Sequence, residues 1–309
     1  MRNRKILIII CLCLLFFIQS INSLGGTAPQ QVNITVALDG SGDFIKIQDA
    51  INAAPSNNDH TFIIYLKRGF YCTEKLIVPF EKRNITFIGE NREETVISYH
   101  IYNCPNGPDG RCPAEDVAQW RGDLIRTSAT LTIQGDGFKA ENLTIENTAG
   151  PVGQAQAISV QADKVVFLNC DIKGYQDTIY LMSARKRLFH ECKLTYRENN
   201  PRPGDDGEPV RFGRPWHEFP KVAWLYCEMA GMIHPEGWGD TWHMDYADKS
   251  DCLHLYEYKN SGPGAEMSGR AKWTGLRSIT DKEALEYTVV KVLGGSDGWN
   301  PVIDSKEKN

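Results

Sequence analysis

Three short clusters hold the residues best suited to chemistry. The first is GYQDTIY, residues 174–180. Asp177 sits there among neutral polar neighbours, where a carboxyl can act as a general acid or base. The plainer reading of a solitary Asp is a turn residue bonded to its own backbone. The second cluster is GRPWHEF, residues 213–219. Arg214 can pair bidentately with a carboxylate, and Trp216 offers a flat apolar face to a sugar ring; the plainer reading is a turn beside a core Trp. The third is GQAQAIS, residues 153–159, in which the amide of Gln154 can hold a developing oxyanion or simply face solvent. With no CxxC and no HExxH in the chain, a metal site is disfavoured.

These residues need a scaffold, and the chain reads as many short strands. Ile34 to Ala37 forms one, and DGSGD is a turn. Ile47, Ile51 and Ala54 share one face of a short helix within 44–54, which Pro55 ends. Then come TFIIYL, KLIVPF, NITFIGE, TVISY, TLTIQG, FKAENLTIEN, AISVQA, KVVFLNCDIKG, RLFHECKLTY and KVAWLYCEMAG, each bounded by turn residues. The phrase aromatic-x-x-(Asn/Cys)-x-(Ile/Leu) repeats as FKAENLTI, FLNCDI and LFHECKL, and the step from Cys170 to Cys192 sets a period in the low twenties. Short strands at that period, with no long helices between them, predict an all-β right-handed parallel β-helix in which like stacks on like. A β-sandwich also has many short strands, but it predicts tight hairpins rather than a whole-coil repeat. The open ends need caps. The helix at 44–54 suits one. For the other, Thr280 with Glu283 forms a capping box opening an amphipathic helix through DKEALEYTVVKVL.

Composition agrees with a globular domain: 309 residues, 41% hydrophobic, 24% charged. That excludes a disordered chain, a collagen-like fibre and a small disulfide scaffold. Lys+Arg 34 against Asp+Glu 39 gives a net charge of -5, so nothing advertises a nucleic-acid partner. Arg2, Arg4 and Lys5 precede the apolar run Ile6 to Ile18, with a cleavage point after Ser23. About 13 apolar residues fall short of the roughly 20 that span a bilayer, so residues 1–23 read as a signal peptide, 24–31 as a leader and 32–309 as one exported domain with no membrane association after cleavage. Seven cysteines then remain, at 72, 104, 112, 170, 192, 227 and 252. Cys104 and Cys112 bracket a Gly/Pro/Asp-rich loop and suit a local disulfide; Cys170, Cys192 and Cys227 read as packed interior thiols. Sequons stand at Asn33, Asn84 and Asn142.

Taken in order, the motifs resemble one family, the pectin methylesterases or pectinesterases. VALDGSGDFIKIQDAINAAP resembles its opening and TSATLTIQGDGFKAENLTIENTAG (127–150) its central signature. GQAQAI, GYQDTIY and FGRPW follow in the family's order, then IHPEGW (233–238), LYEYKNSGPGAEMSGRAKW (255–273) and GWNP (298–301). The resemblance implies a pectin-lyase-like solenoid with a cleft along one face. It implies hydrolysis of C6 methyl esters of galacturonate in pectin (homogalacturonan) to pectate and methanol, without metal or organic cofactor, by an exported monomer. By motif, Asp177 matches the acid/base, Gln154 and Gln176 the oxyanion amides, Arg214 the residue that orients the nucleophile, and Trp216 and Tyr175 sugar contacts. Two neighbouring carboxylates can then split their pKa values, one attacking while the other keeps its proton.

One part of the pattern is missing. The family's nucleophilic Asp lies in a segment like G-T-x-D-F-I-F-G, one strand after QDT, and this chain reads RENNPRPGDDGEPVRFGRPW instead. Either the nucleophile position falls near Asn199, or CKLT matches the later strand before GRPW and about two coils are absent. The second alignment keeps the local order and leaves a stackable solenoid. Asp205 and Asp206 are the nearest candidates for a substitute nucleophile. The alternative function is a pectin-binding protein that does not cleave.

Overall fold

The computed structural model describes residues 32–102, 128–150, 153–182, 186–195, 210–215, 220–238 and 252–294. Every strand pairing in it is parallel. The predicted parallel β-helix is the observed architecture.

The first stack has three sheets. One holds β1 (Ile34–Val36), β2 (Phe62–Leu66), β5 (Ile85–Gly89), β8 (Lys139–Glu141) and β11 (Val166–Leu168). The second holds β3 (Gly69–Tyr71), β6 (Thr95–Tyr99), β9 (Thr144–Asn147) and β12 (Asp171–Lys173). The third holds β4 (Leu76–Val78), β7 (Ala129–Ile133), β10 (Gln156–Val160) and β13 (Ile179–Leu181). Register turns the alternation of each strand into apolar columns. Leu76, Leu131, Ile158 and Ile179 stack in one, and Val78, Ile133, Val160 and Leu181 in the next. Ile64, Phe87, Ala140 and Phe167 form another, with Phe87 meeting Phe138 edge to face at 5.1 Å. Each such side chain, once removed from water, contributes about 1.5–3 kcal/mol.

The repeated phrase has a backbone cause. Asn142 and Asn169 occupy the turns after β8 and β11 at φ 60° and 49°, a left-handed conformation that Asn tolerates. Their side chains form a ladder: Asn169 Nδ2 donates to Asn142 Oδ1 (2.8 Å), and Asn142 Nδ2 donates to the Gly89 carbonyl (2.8 Å). Asn84 likewise donates to the Asn58 carbonyl (2.7 Å). Two of the three sequon amides therefore brace turns.

A second stack follows, with β14 (Lys186–His190), β16 (Lys221–Leu225), β18 (His254–Tyr258) and β19 (Leu276–Ser278) in one sheet, and β15 (Lys193–Leu194) with β17 (Glu228–Met229) in another. Glu191 and Tyr226 repeat the left-handed turn at φ 54° and 56°. Among the described residues no ladder joins β11, β12 or β13 to β14 or β15. The cores divide at the same place, with the first ending at Leu181 and the others beginning at Leu188.

Helix α1 (Ile47–Ala53) buries Ile47, Ala50 and Ile51 in the first core, and Ala54 caps it as expected. The C-terminal expectation needs correcting. Thr280 and Glu283 do form the capping box of α2 (Asp281–Ala284), but the single amphipathic helix is broken. A 3-10 turn covers Leu285–Tyr287, and Thr288, at ψ 151°, caps a separate α3 (Val289–Leu293). Thr288 competes with the helix by accepting from the Lys291 N–H (3.3 Å). The strands β3, β13, β18 and β19 were not among those expected, because each is too short or too polar to show alternation.

Candidate active site

The site forms where the two stacks meet. Gly174 to Thr178 link β12 to β13. A side chain at Gly174 would press on Thr178, its added carbon 2.8 Å from Oγ1, so the turn is tight. Asp177 takes φ 54°, which turns its side chain out of the strand pattern, and it is open to water. Enough protein still crowds the carboxyl to disfavour its charge, so desolvation raises its pKa above 3.8, while the Arg214 guanidinium acts in the opposite direction. Asp177 belongs to the first stack. Arg214 lies in the segment 210–215, which bridges to the second stack through Val210 and Ile233. The structure thus brings two predicted site residues, far apart in sequence, within electrostatic reach.

Gln176 and Tyr175 flank Asp177 and are exposed. The Gln176 carbonyl accepts from the Ala155 N–H (3.0 Å), and the Thr178 carbonyl accepts from the Ala157 N–H (2.9 Å). These bonds, with Ile158 opposite Ile179, set Gln156 in register beside Asp177. Gln156 is fully buried. Its Oε1 accepts from Ser128 Oγ (2.8 Å), which orients the amide, and its carbonyl accepts from the buried Asn147 Nδ2 (3.0 Å). Its Nε2 has no partner among the described residues. A buried unpaired amide N–H costs roughly 1–3 kcal/mol; this one lies on the face of β10 that carries Ile158 into the apolar column, not on the side open to water.

Gln154 is half-buried just ahead of β10, whereas Gln156 lies on the strand itself. Strand alternation through QAISV puts Gln156 on the inward face with Ile158 and Val160. Trp216, Asp205 and Asp206 lie outside the described residues, as do Asn199, the signal peptide and the Cys104–Cys112 loop.

Around Arg214, Gly213 takes φ 153° and Pro215 is buried. Phe212 stacks on Trp224 (5.2 Å) and Arg211 pairs with Glu236 (2.7 Å), so the segment is anchored on both sides of the arginine.

The pectinesterase family model matches residues 33–198 and 189–296. This chain belongs to the pectinesterase family. The two matches share residues 189–198, so one coil of this pectinesterase-family chain fits two places in the family pattern. "Probable pectinesterase/pectinesterase inhibitor 23" of Arabidopsis thaliana is 33% identical over 332 residues, covering 90% of this chain and 55% of that protein. "Pectinesterase 2.1" of Solanum lycopersicum is 32% identical over 317 residues, covering 85% and 54%. The chain therefore spans about half the length of the curated relatives it matches. The 332-residue alignment is also longer than the 309-residue chain, so within the matched region the Arabidopsis relative carries segments that this chain lacks. Among solved structures, pectin methylesterase from carrot superposes with a TM-score of 0.67 at 27% identity, over 88% of this chain and 96% of that one.

Proposed function

We propose that the chain hydrolyses the C6 methyl esters of galacturonate units in pectin, giving pectate and methanol. The observation that carries this reading is Asp177, open to water yet with its charge disfavoured by desolvation and favoured by the Arg214 guanidinium. A solved relative, 25% identical with a TM-score of 0.62, is a pectin methylesterase in complex with a hexasaccharide, which supports an oligogalacturonate ligand.

The roles follow from charge flow. A carboxylate attacks the ester carbonyl carbon, and negative charge gathers on the carbonyl oxygen. Gln154 and Gln176, both reached by solvent, donate to that oxyanion. Asp177, whose proton its surroundings hold more tightly, gives that proton to the departing methoxide and then takes one from the water that splits the acyl intermediate. Arg214 aligns a carboxylate, and Trp216 and Tyr175 offer faces to the sugar rings. Asp205 or Asp206 supplies the attacking carboxylate. No step needs a metal or organic cofactor. The active form is an exported monomer, cleaved after Ser23, whose domain of residues 32–309 acts on homogalacturonan in the cell wall.

A second reading is a pectin-binding protein without esterase activity. The overlap of the two family matches at 189–198 favours it, because the family's nucleophile belongs to the coils that such an overlap omits. One experiment separates the readings. Purified mature chain is given highly methylated pectin, with Asp177→Asn and Asp205→Asn/Asp206→Asn alongside. Methanol release by the parent that is lost in both variants establishes the esterase and its nucleophile. Release lost only in Asp177→Asn removes the aspartate pair from the mechanism. No release from a folded parent that still binds methylated hexagalacturonate makes it a binding protein.

A further inference from the structure

Cysteines recur at one position of the coil, just after the left-handed turn. In the first stack, Cys170 lies opposite Leu143, since Asp171 pairs with Thr144. Its Sγ approaches the Leu168 (3.3 Å) and Ala140 (3.5 Å) carbonyls. In the second stack the two coils repeat the residue. His190 pairs with Leu225 and Lys193 with Glu228, so Cys192 stands directly opposite Cys227. The Glu191 N–H donates to the Leu225 carbonyl (3.0 Å) and the Glu228 N–H to the Cys192 carbonyl (2.9 Å), which fixes this register on both sides. Strands in a ladder run about 4.8 Å apart, inside the roughly 4.4–6.8 Å between Cα atoms that a disulfide spans. Both side chains face the same core, and Cys227 Sγ leans toward its neighbour coil, 3.4 Å from the Phe189 carbonyl.

We propose that Cys192 and Cys227 form a cross-coil disulfide that staples the first coil of the second stack to the next. That coil has ladder partners on only one side among the described residues, so a covalent tie has most to add there. Each thiol acts on the other: Cys227 draws Cys192 below its ordinary pKa, while Cys192 and burial push Cys227 up. Cys192, the more accessible of the two, attacks first as thiolate. It displaces one thiol from a small-molecule disulfide such as oxidised glutathione and forms a mixed disulfide. Cys227 then loses its proton and attacks the Cys192 sulfur, releasing the second thiol. Two protein thiols are oxidised, and one external disulfide is reduced to two thiols.

The test is a disulfide map. Folded mature chain is equilibrated with oxidised glutathione, its free thiols are alkylated, and non-reduced peptides are read by mass spectrometry. The expected product joins the Cys192 and Cys227 peptides and is unchanged in Cys170→Ser. Reduction is expected to lower the Tm of the parent by roughly 5–10 °C more than that of Cys192→Ser. Full alkylation of Cys192 and Cys227 in the oxidised, folded parent overturns the proposal, as does a Cys170–Cys192 link. The map uses the parent chain, so it decides the matter even if a variant fails to fold.

Discussion

At the residue scale the decisive property of Asp177 is its poorly solvated charge. Its pKa in the folded chain lies above 3.8. The folded state therefore holds its proton more tightly than the unfolded chain, and this one group opposes folding as pH rises through its folded pKa. Asp177→Asn removes that penalty. At neutral pH its Tm is expected to equal or exceed the parent's, while methanol release falls by about 10²–10⁴-fold; thermal melts and activity assays on one preparation check both. Arg214 lowers the same pKa, so Arg214→Ala is expected to move the alkaline limb of kcat/KM, set by loss of the Asp177 proton, to higher pH. A pH profile unmoved by that change would separate Arg214 from Asp177. Loss of a single oxyanion donor costs about 10²–10³-fold, and Gln154→Ala is expected to show a loss of that size, whereas Gln156→Ala is expected to lower Tm more than activity. The reverse ranking would move the oxyanion role to Gln156. The cluster GQAQAIS offers two amides, and the choice between them depends on which side chain a strand turns inward.

At the element scale, stability rests on turns and caps that repeat once per coil. Asn142 combines a left-handed φ, a donated bond to Gly89 and an accepted bond from Asn169. Asn142→Ala removes both bonds and adds backbone strain, for an expected loss of about 2–3 kcal/mol in urea unfolding. The C-terminal helices depend on the Thr280–Glu283 box. Arg277 and the Thr280 N–H and hydroxyl bind the Glu283 carboxylate and hold its pKa at about 2, below the usual 4.5. Their contribution is complete above pH 4.5 and is lost as pH falls toward 2. Acid fraying of α2 is thus expected in hydrogen exchange, and Glu283→Gln should show it already at neutral pH. The capping box was legible because its spacing is local. The break at Thr288 was not, because hydrophobic spacing through DKEALEYTVVKVL suits one helix as well as two.

At the scale of the whole molecule, the stacks are the units of cooperativity. Coils in a solenoid are stabilised by their neighbours, so a gap in the ladder is where cooperation weakens. The first stack has a single large core, while the second divides its apolar contacts between two smaller clusters. The second is expected to unfold first. The described tryptophans, Trp224, Trp238 and Trp273, all lie in its coils. A urea midpoint by tryptophan fluorescence should therefore fall below the midpoint by far-ultraviolet circular dichroism. Coincident midpoints would make the two stacks one cooperative unit.

By itself the sequence determined the repeating coil, because strand alternation and turn residues act over a few positions and recur at the solenoid's period. It also determined the family, through motifs in a fixed order, and it offered Asp177 and Arg214 as candidate site residues. Only the tertiary structure puts the Asp177 carboxyl under the influence of the Arg214 charge, since coils that pack together can be distant in the chain. It also decided that Gln156 holds the buried unpaired amide and that Cys192 faces Cys227. Both follow from register, which is set by backbone bonds between neighbouring coils and leaves no trace in either coil's own residues.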